Sequence, residues 1–250
     1  MVKELDNLGY RTGAFIVDAA KFVPQSRPRI FVVALREDLR PPNNCVDGPT
    51  IWHTKALCRS QSNLSEKLRN RWLWWNMPTP RKRSKNFIDL IELEPSGVSW
   101  HSKKETRSLL SMMSDVNLAK VHTAQCAGIP MVGGVYKRTR YEQGVKVQRA
   151  EVRFDNIAGC LRTPAGGSSR QSVLYVQGNN IKSRLLSTRE AARLMGLRDS
   201  YILPKSYNEG YHLMGDGVAV PVVRYIARHI FEPIIKCNES TTELKALHRT

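Results

Sequence analysis

Two short uninterrupted apolar runs, Ala14–Val17 and Ile30–Leu35, constrain this chain more than any other feature. Each is strand-sized and suits a strand buried on both faces. Between them lies Lys21-Phe22-Val23-Pro24-Gln25-Ser26-Arg27-Pro28-Arg29, whose two prolines forbid helix and force an extended path. Ahead of the first run, Val2, Leu5 and Leu8 recur at near-helical spacing and Gly9 follows as a C-cap. The opening therefore reads helix, strand, loop, strand.

Charge is distributed unevenly along the 250 residues. The chain holds 39 Lys+Arg against 22 Asp+Glu, a formal net charge of +17. Residues 41–186 alone carry 23 basic and 10 acidic residues, a net of +13, so one internal segment holds most of the excess. A polyanion is the economical partner for such a segment; a basic surface that binds nothing is the bland alternative. No apolar stretch approaches the roughly 18 residues of a membrane span, and with Glu4 and Asp6 and no apolar h-region no secretory signal is expected. Five scattered cysteines without a CxxC pair indicate neither a zinc site nor a disulfide scaffold, which fits a reducing cytoplasm; no metal site is expected.

From Pro41 the texture becomes irregular, polar and basic. Leu64, Leu68, Trp72 and Trp75 fit one helical face, which makes the two tryptophans core rather than base-stacking residues. Ser102–Met113 reads as a helix, Arg81–Lys85 as a solvated basic loop that could meet phosphates, and Val135–Phe154 as strands with a basic outer face. Further on, Ser187 with Glu190 forms a capping-box pattern. Ala191, Leu194 and Met195 follow as the apolar face of a helix ending at Gly196. Pro221 sits near the start of another helix, with Val222, Val223, Ile226, Ala227 and Ile230 as its buried stripe. Residues 237–250 are polar and read as a loose tail.

Arg27 and Arg29 stand two apart in an extended stretch, so both guanidinium groups can project from one side. A planar fork of donors suits a nucleobase carbonyl or a carboxylate better than a lysine would; the alternative is neutralisation of phosphate or acidic neighbours.

Three segments, in order, resemble the cytosine-C5 DNA methyltransferase family. Val23-Pro24-Gln25-Ser26-Arg27-Pro28-Arg29-Ile30-Phe31 is similar to its eighth motif, Gln-x-Arg-x-Arg entering a strand. Arg184–Gly196 is similar to the ninth, and Met214-Gly215-Asp216-Gly217-Val218-Ala219-Val220-Pro221 to the tenth. The resemblance reaches to about Pro233. It implies an α/β fold: a partial doubly wound (Rossmann-like) methyltransferase sheet with a mixed, mostly irregular and β, target-recognition domain inserted. The implied division is 1–40 and 187–236 for the catalytic domain, 41–186 for target recognition, and 237–250 for the tail.

The resemblance also assigns roles. Arg29 would hold the O2 of a flipped cytosine and orient a catalytic glutamate, with Arg27 and Gln25 in support. Gly215, Asp216, Gly217 and Val218 would touch S-adenosylmethionine, although Asp216 replaces the family's usual asparagine and loses an amide donor. Arg162, Thr163, Gly166, Gly167, Ser168, Ser169, Arg170 and Gln171 resemble the family's recognition loop and would contact double-stranded DNA. The ninth-motif arginines Arg184, Arg189 and Arg193 read as salt-bridge and backbone-organising groups, and Cys160, which lacks the nucleophile signature, as a small core residue.

The family's chemistry needs a cysteine thiolate that adds to cytosine C6 and a nearby acid, in Pro-Cys-Gln and Glu-Asn-Val. Neither occurs here, nor does Phe-x-Gly-x-Gly. The expectation is the C-terminal half of a DNA (cytosine-5)-methyltransferase, inactive alone. Its N-terminal half would be a separate polypeptide, or lost to frameshift or gene decay. The unpaired edge and apolar face of such a half-sheet call for that partner. The setting expected is the cytoplasm, in a bacterial or phage-encoded, nucleoid-associated role. The competing reading is a non-catalytic DNA-binding module or a degenerate remnant of such an enzyme; an RNA-binding protein gains little, because no RNP or KH signature is present.

Overall fold

The first apolar runs form the strands the sequence leads one to expect, but as a hairpin. In the computed structural model, which describes residues 1–163 and 170–247, α1 (Val2–Asn7) leads into β1 (Tyr10–Asp18). β2 (Pro28–Arg36) pairs antiparallel with β1 in a register running from Tyr10↔Arg36 to Asp18↔Pro28. Phe15 and Phe31 meet across it, ring centroids 5.8 Å apart. The described residues cluster into two compact units: residues 1–18, 28–81 and 222–247 belong to the first, and 19–27, 82–163 and 170–221 to the second.

In the first unit, the segment after β2 carries β3 (Cys45–Val46), α2 (Lys55–Ser62), α3 (Glu66–Asn70) and β4 (Trp74–Trp75), with β3 pairing β4. The one long helical face expected through Trp75 is broken. α2 stops at Asn63, and Ser65 opens α3 as its N-cap residue. The chain then turns extended at Trp74, a bulky aromatic favoured in strands. Trp75 is fully buried, as its core reading expects, and Trp72 half-buried, edge-on to Trp74 at 6.0 Å. Trp52 joins the same core, its indole N–H donating to the Met77 carbonyl at 2.7 Å. The unit closes with the body of α8 (Val220–Ile226), a π-helical turn at Ala227–Phe231, and α9 (Glu232–Leu247). α9 corrects the loose tail: beyond Pro233 there is no further glycine or proline to stop a helix.

In the second unit, β5 (Met131–Glu142), β6 (Val145–Arg153), β7 (Ser172–Gln177) and β8 (Asn180–Leu185) form an antiparallel sheet of order β6-β5-β7-β8. α4 (Lys103–Ser111), capped by Ser102 and Glu105, and α5 (Asp115–Cys126) supply Leu109, Val121 and Ala124 to a core shared with Val135, Ala150, Val152, Leu174 and Val176. Burial of these apolar side chains is the main driving force holding this layer together, at about 25 cal/mol per Å². α6 (Thr188–Leu194) and α7 (Tyr207–Asp216) complete the unit. Among the described residues no helix is long and apolar enough to cross a membrane.

Candidate functional site

Gln25 and Arg27 lie in the 19–27 segment of the second unit, and both are buried. An extended backbone places this segment beside residue 158: Ala158 N donates to Pro24 O at 2.8 Å and Ser26 N to Ala158 O at 2.9 Å. Gln25 then spends both ends of its amide. Its Nε2 donates to Leu194 O at 2.8 Å, at the end of α6, and its Oε1 accepts from Leu161 N at 3.2 Å.

Arg27 does more. One guanidinium nitrogen donates to Leu161 O at 2.7 Å, and the other to Gly215 O and Gly217 O, both at 2.7 Å. The first nitrogen also reaches the Cys160 sulfur at 3.5 Å. A planar fork of donors spans three carbonyls on two segments, which a lysine ammonium has no geometry to do. The three sequence motifs therefore converge on one buried polar node: the loop before β2, the α6 helix, and the C-terminal end of α7.

Gly215 is part of the closure. A Cβ at this residue would lie 2.6 Å from Thr163 N, so only glycine lets the end of α7 pass so close to the 162–163 backbone. Thr163 Oγ1 donates to the Asp216 carboxylate across the same contact. Met214 to Asp216 form the last turn of α7 rather than a free loop. The helix is signalled by Ser206, whose hydroxyl accepts from Glu209 N, a capping pattern present in the sequence. Asp216 and Val218 are exposed; Gly217 is half-buried.

The segment 162–171 is fixed at both described ends. Downstream, Gln171 is 1% exposed, and its N–H donates to the Tyr211 hydroxyl at 2.9 Å. Its Oε1 accepts from the Tyr136 hydroxyl at 3.3 Å. Burial pushes the Tyr211 phenol up to about 12 and the Tyr136 phenol well above its usual range, so both stay protonated. Gly159 makes room for Tyr136: a Cβ there would fall within 1.1 Å of its hydroxyl. Arg170 hydrogen-bonds Asn208 and stacks over the Tyr207 ring at 5.7 Å. Gln171 thus anchors the segment from inside the fold, which corrects its reading as a group held out toward bases. Gly166, Gly167, Ser168 and Ser169 lie outside the described residues. Arg162 is exposed and Thr163 half-buried. Tyr136, Tyr211 and Asn208 carry no local sequence signal and were not anticipated.

Arg29 is exposed on β2, opposite Val17, and donates to Pro28 O at 2.9 Å. The ninth-motif arginines hold acidic side chains and backbone carbonyls; Arg184 is buried, and Arg189 and Arg193 are half-buried. Arg184 and Glu190 are both fully buried and paired, with Arg184 Nη1 at 2.8 Å from Glu190 Oε2, and Arg184 lies 4.8 Å over the Trp100 ring. Arg193 holds Asp199 at 2.8 Å and Glu92 at 3.0 Å, and Arg189 donates to Tyr201 O at 3.0 Å. Cys160 is half-buried against Arg27 rather than a core residue.

The family model described as C-5 cytosine-specific DNA methylase matches residues 1–232. The type II methyltransferase M.HhaI of Haemophilus parahaemolyticus is 24% identical over 90% of this chain and 55% of its own length. M.MspI of a Moraxella species is 21% identical over 97% of this chain and 43% of its own. M1.ScrFI of Lactococcus lactis is 35% identical over 65 residues, 26% of this chain and 17% of its own length. The chain spans about half the length of the relatives it matches end to end. With most of its length matched by the family model, this chain belongs to the C-5 cytosine-specific DNA methylase family.

Proposed function

We propose that this chain supplies the target-recognition part and the eighth-, ninth- and tenth-motif part of a DNA (cytosine-5)-methyltransferase. It acts together with an N-terminal half that carries the cysteine nucleophile. The observation that carries the reading is the Gln25–Arg27 node, where the three motifs of the family meet through hydrogen bonds of 2.7–3.2 Å. Residues 41–186 are the proposed target-recognition region, and their net charge of +13 suits the phosphates of double-stranded DNA.

In this reading Arg29, exposed at the start of β2, reaches the flipped cytosine, while Gln25 and Arg27 hold the surrounding backbone. Arg162 and Thr163, with Gly166 to Arg170, face the DNA. S-adenosylmethionine fits the turn at Gly215–Val218 by the chemistry of its groups. The exposed Asp216 carboxylate accepts from ammonium or hydroxyl groups, and Val218, 44% exposed, offers an apolar surface beside it. When bound, that cofactor supplies the sulfonium methyl group. The protein works in the cytoplasm, on the nucleoid.

The test is reconstitution. The purified chain, an N-terminal half of a cytosine-C5 methyltransferase, duplex DNA and methyl-labelled S-adenosylmethionine should together give 5-methylcytosine. Absence of label with every N-terminal half encoded beside this gene would sink the enzyme reading. A second reading, a non-catalytic DNA-binding module or degenerate remnant, is supported by the net charge of +13 over residues 41–186, which DNA binding alone accounts for. It predicts salt-sensitive DNA binding with no methyl transfer in any mixture.

A further inference from the structure

The last turn of α5 holds a thiol and an imidazole side by side. His122 and Cys126 stand four residues apart, a spacing that stacks two side chains on one face of a helix. The Cys126 sulfur lies 3.9 Å from His122 Nδ1 and 4.0 Å from Nε2. Both residues are exposed, and among the described residues neither side chain has another partner. Cys126 is the one exposed cysteine of the five; Cys45, Cys58, Cys160 and Cys237 are half-buried. Lys120, two residues before His122, is engaged elsewhere. Its ammonium donates to Asn117 Oδ1 at 3.3 Å and to Val152 O on β6 at 3.4 Å.

This pair has the separation of two metal ligands. On a tetrahedral zinc ion, with Zn–S about 2.3 Å and Zn–N about 2.0–2.1 Å, a sulfur and a nitrogen lie roughly 3.5 Å apart. Small rotations of two exposed side chains close the difference. The position on the helix also helps: α5 ends at Cys126, and Gly128 turns the chain away with φ 70°. Carbonyls of a last helical turn carry partial negative charge, which favours a cation and disfavours a bare thiolate. A bound metal ion supplies the charge that stabilises the thiolate. The cysteine spacing carries no such signal, because a helical turn rather than a CxxC loop brings these ligands together. A closed tetrahedral site needs four ligands, yet among the described residues no third His, Cys, Asp or Glu joins the pair. A second copy related by a twofold axis contributes the same pair and completes a set of two cysteines and two histidines. Leu118, one turn before His122, and Ile129, three residues after Cys126, are exposed apolar side chains on either side of the pair along the chain.

We propose that His122 and Cys126 are half of a zinc site that joins two copies of this chain across the exposed face of α5. Each copy gives one thiolate and one imidazole to a shared tetrahedral ion, and each thiol releases its proton to solvent on binding. The inference goes beyond the methyltransferase reading and does not rest on it.

Sedimentation equilibrium of the purified chain in a reducing buffer tests it. One zinc ion per two chains should double the mass from 28.4 kDa, and EDTA should reverse the change. Cys126→Ser and His122→Ala should each abolish the doubling. Circular dichroism of both variants should stay that of the parent, because both residues are exposed. His212→Gln changes an exposed histidine on α7 and should leave the zinc-dependent doubling intact. Cobalt in place of zinc should give a thiolate-to-metal charge-transfer band in the near ultraviolet, absent from Cys126→Ser. Doubling with zinc that survives in either pair variant, or is lost in His212→Gln, would overturn the proposal. So would a monomer at saturating zinc, a dimer that persists in EDTA, or a parent chain without the cobalt band.

Discussion

Two arginines two residues apart play opposite parts in this molecule. Arg27 is 3% exposed and satisfies three backbone carbonyls, whereas Arg29 is exposed on a strand. Their spacing in the sequence puts them on one side of an extended chain, but burial depends on what packs over each, which spacing does not encode. Arg27→Lys leaves at least one buried carbonyl without a donor, each worth about 1–3 kcal/mol. Urea unfolding should show a loss of roughly 2–4 kcal/mol. Arg29→Ala should change stability by less than about 0.5 kcal/mol, as exposed substitutions do. In the reconstituted enzyme it should reduce methyl transfer far more than DNA binding. Equal loss of both would reduce Arg29 to a phosphate contact.

At the scale of elements, local signals are read well and distant partners poorly. The Ser187–Glu190 capping box is visible in the sequence and present in α6, with Ser187 N donating to Glu190 Oε2 at 2.8 Å. That Glu190 also pairs with a buried Arg184 from β8 is set by tertiary packing and has no local trace. Glu190→Gln keeps an acceptor for the cap but strands the guanidinium, so the expected cost is about 3–5 kcal/mol, measured as a lowered thermal midpoint. Arg184→Met combined with Glu190→Leu removes both charges together and should recover much of that loss. The Trp72–Trp75 stretch shows the converse. Its apolar spacing is helical, yet Ser65 restarts the chain and Trp74 pairs in a strand, because cross-strand packing outweighs a short periodicity. The strands of 135–154 were legible because alternation persists over many residues.

For the molecule as a whole, the chain passes between its two compact units four times, at residues 18/19, 27/28, 81/82 and 221/222. Neither unit is contiguous in sequence, so opening one frees chain ends held by the other. Four of the five tryptophans lie in the first unit, and the four-stranded sheet lies in the second. Tryptophan fluorescence and far-ultraviolet circular dichroism should therefore trace one coincident urea transition; two separated midpoints would show independent units. The pH response follows from the histidines. Burial lowers the pKa of His53, His101 and His229 below the ordinary imidazole value. A base with a depressed folded pKa binds protons more readily when unfolded, so stability is full above about pH 6.5 and falls as pH drops below it. Arginine hydrogen bonds hold the Asp155, Asp199 and Glu142 carboxyls below their usual range, and that contribution is lost only at more acidic pH. The urea midpoint should thus be lower at pH 5.5 than at 7.5. Replacing the three histidines with glutamine should flatten the difference.

The two anchors that bracket residues 164–169 turn that stretch into a grafting frame. Upstream, the Leu161 carbonyl is fixed by Arg27 and Thr163 by Asp216. Downstream, Gln171 is locked between Tyr211 and Tyr136. A foreign hexapeptide set between Thr163 and Arg170 would inherit both fixed ends. Such an exchange keeps both ends only while Arg27, Gly159 and Gly215 are left as they are.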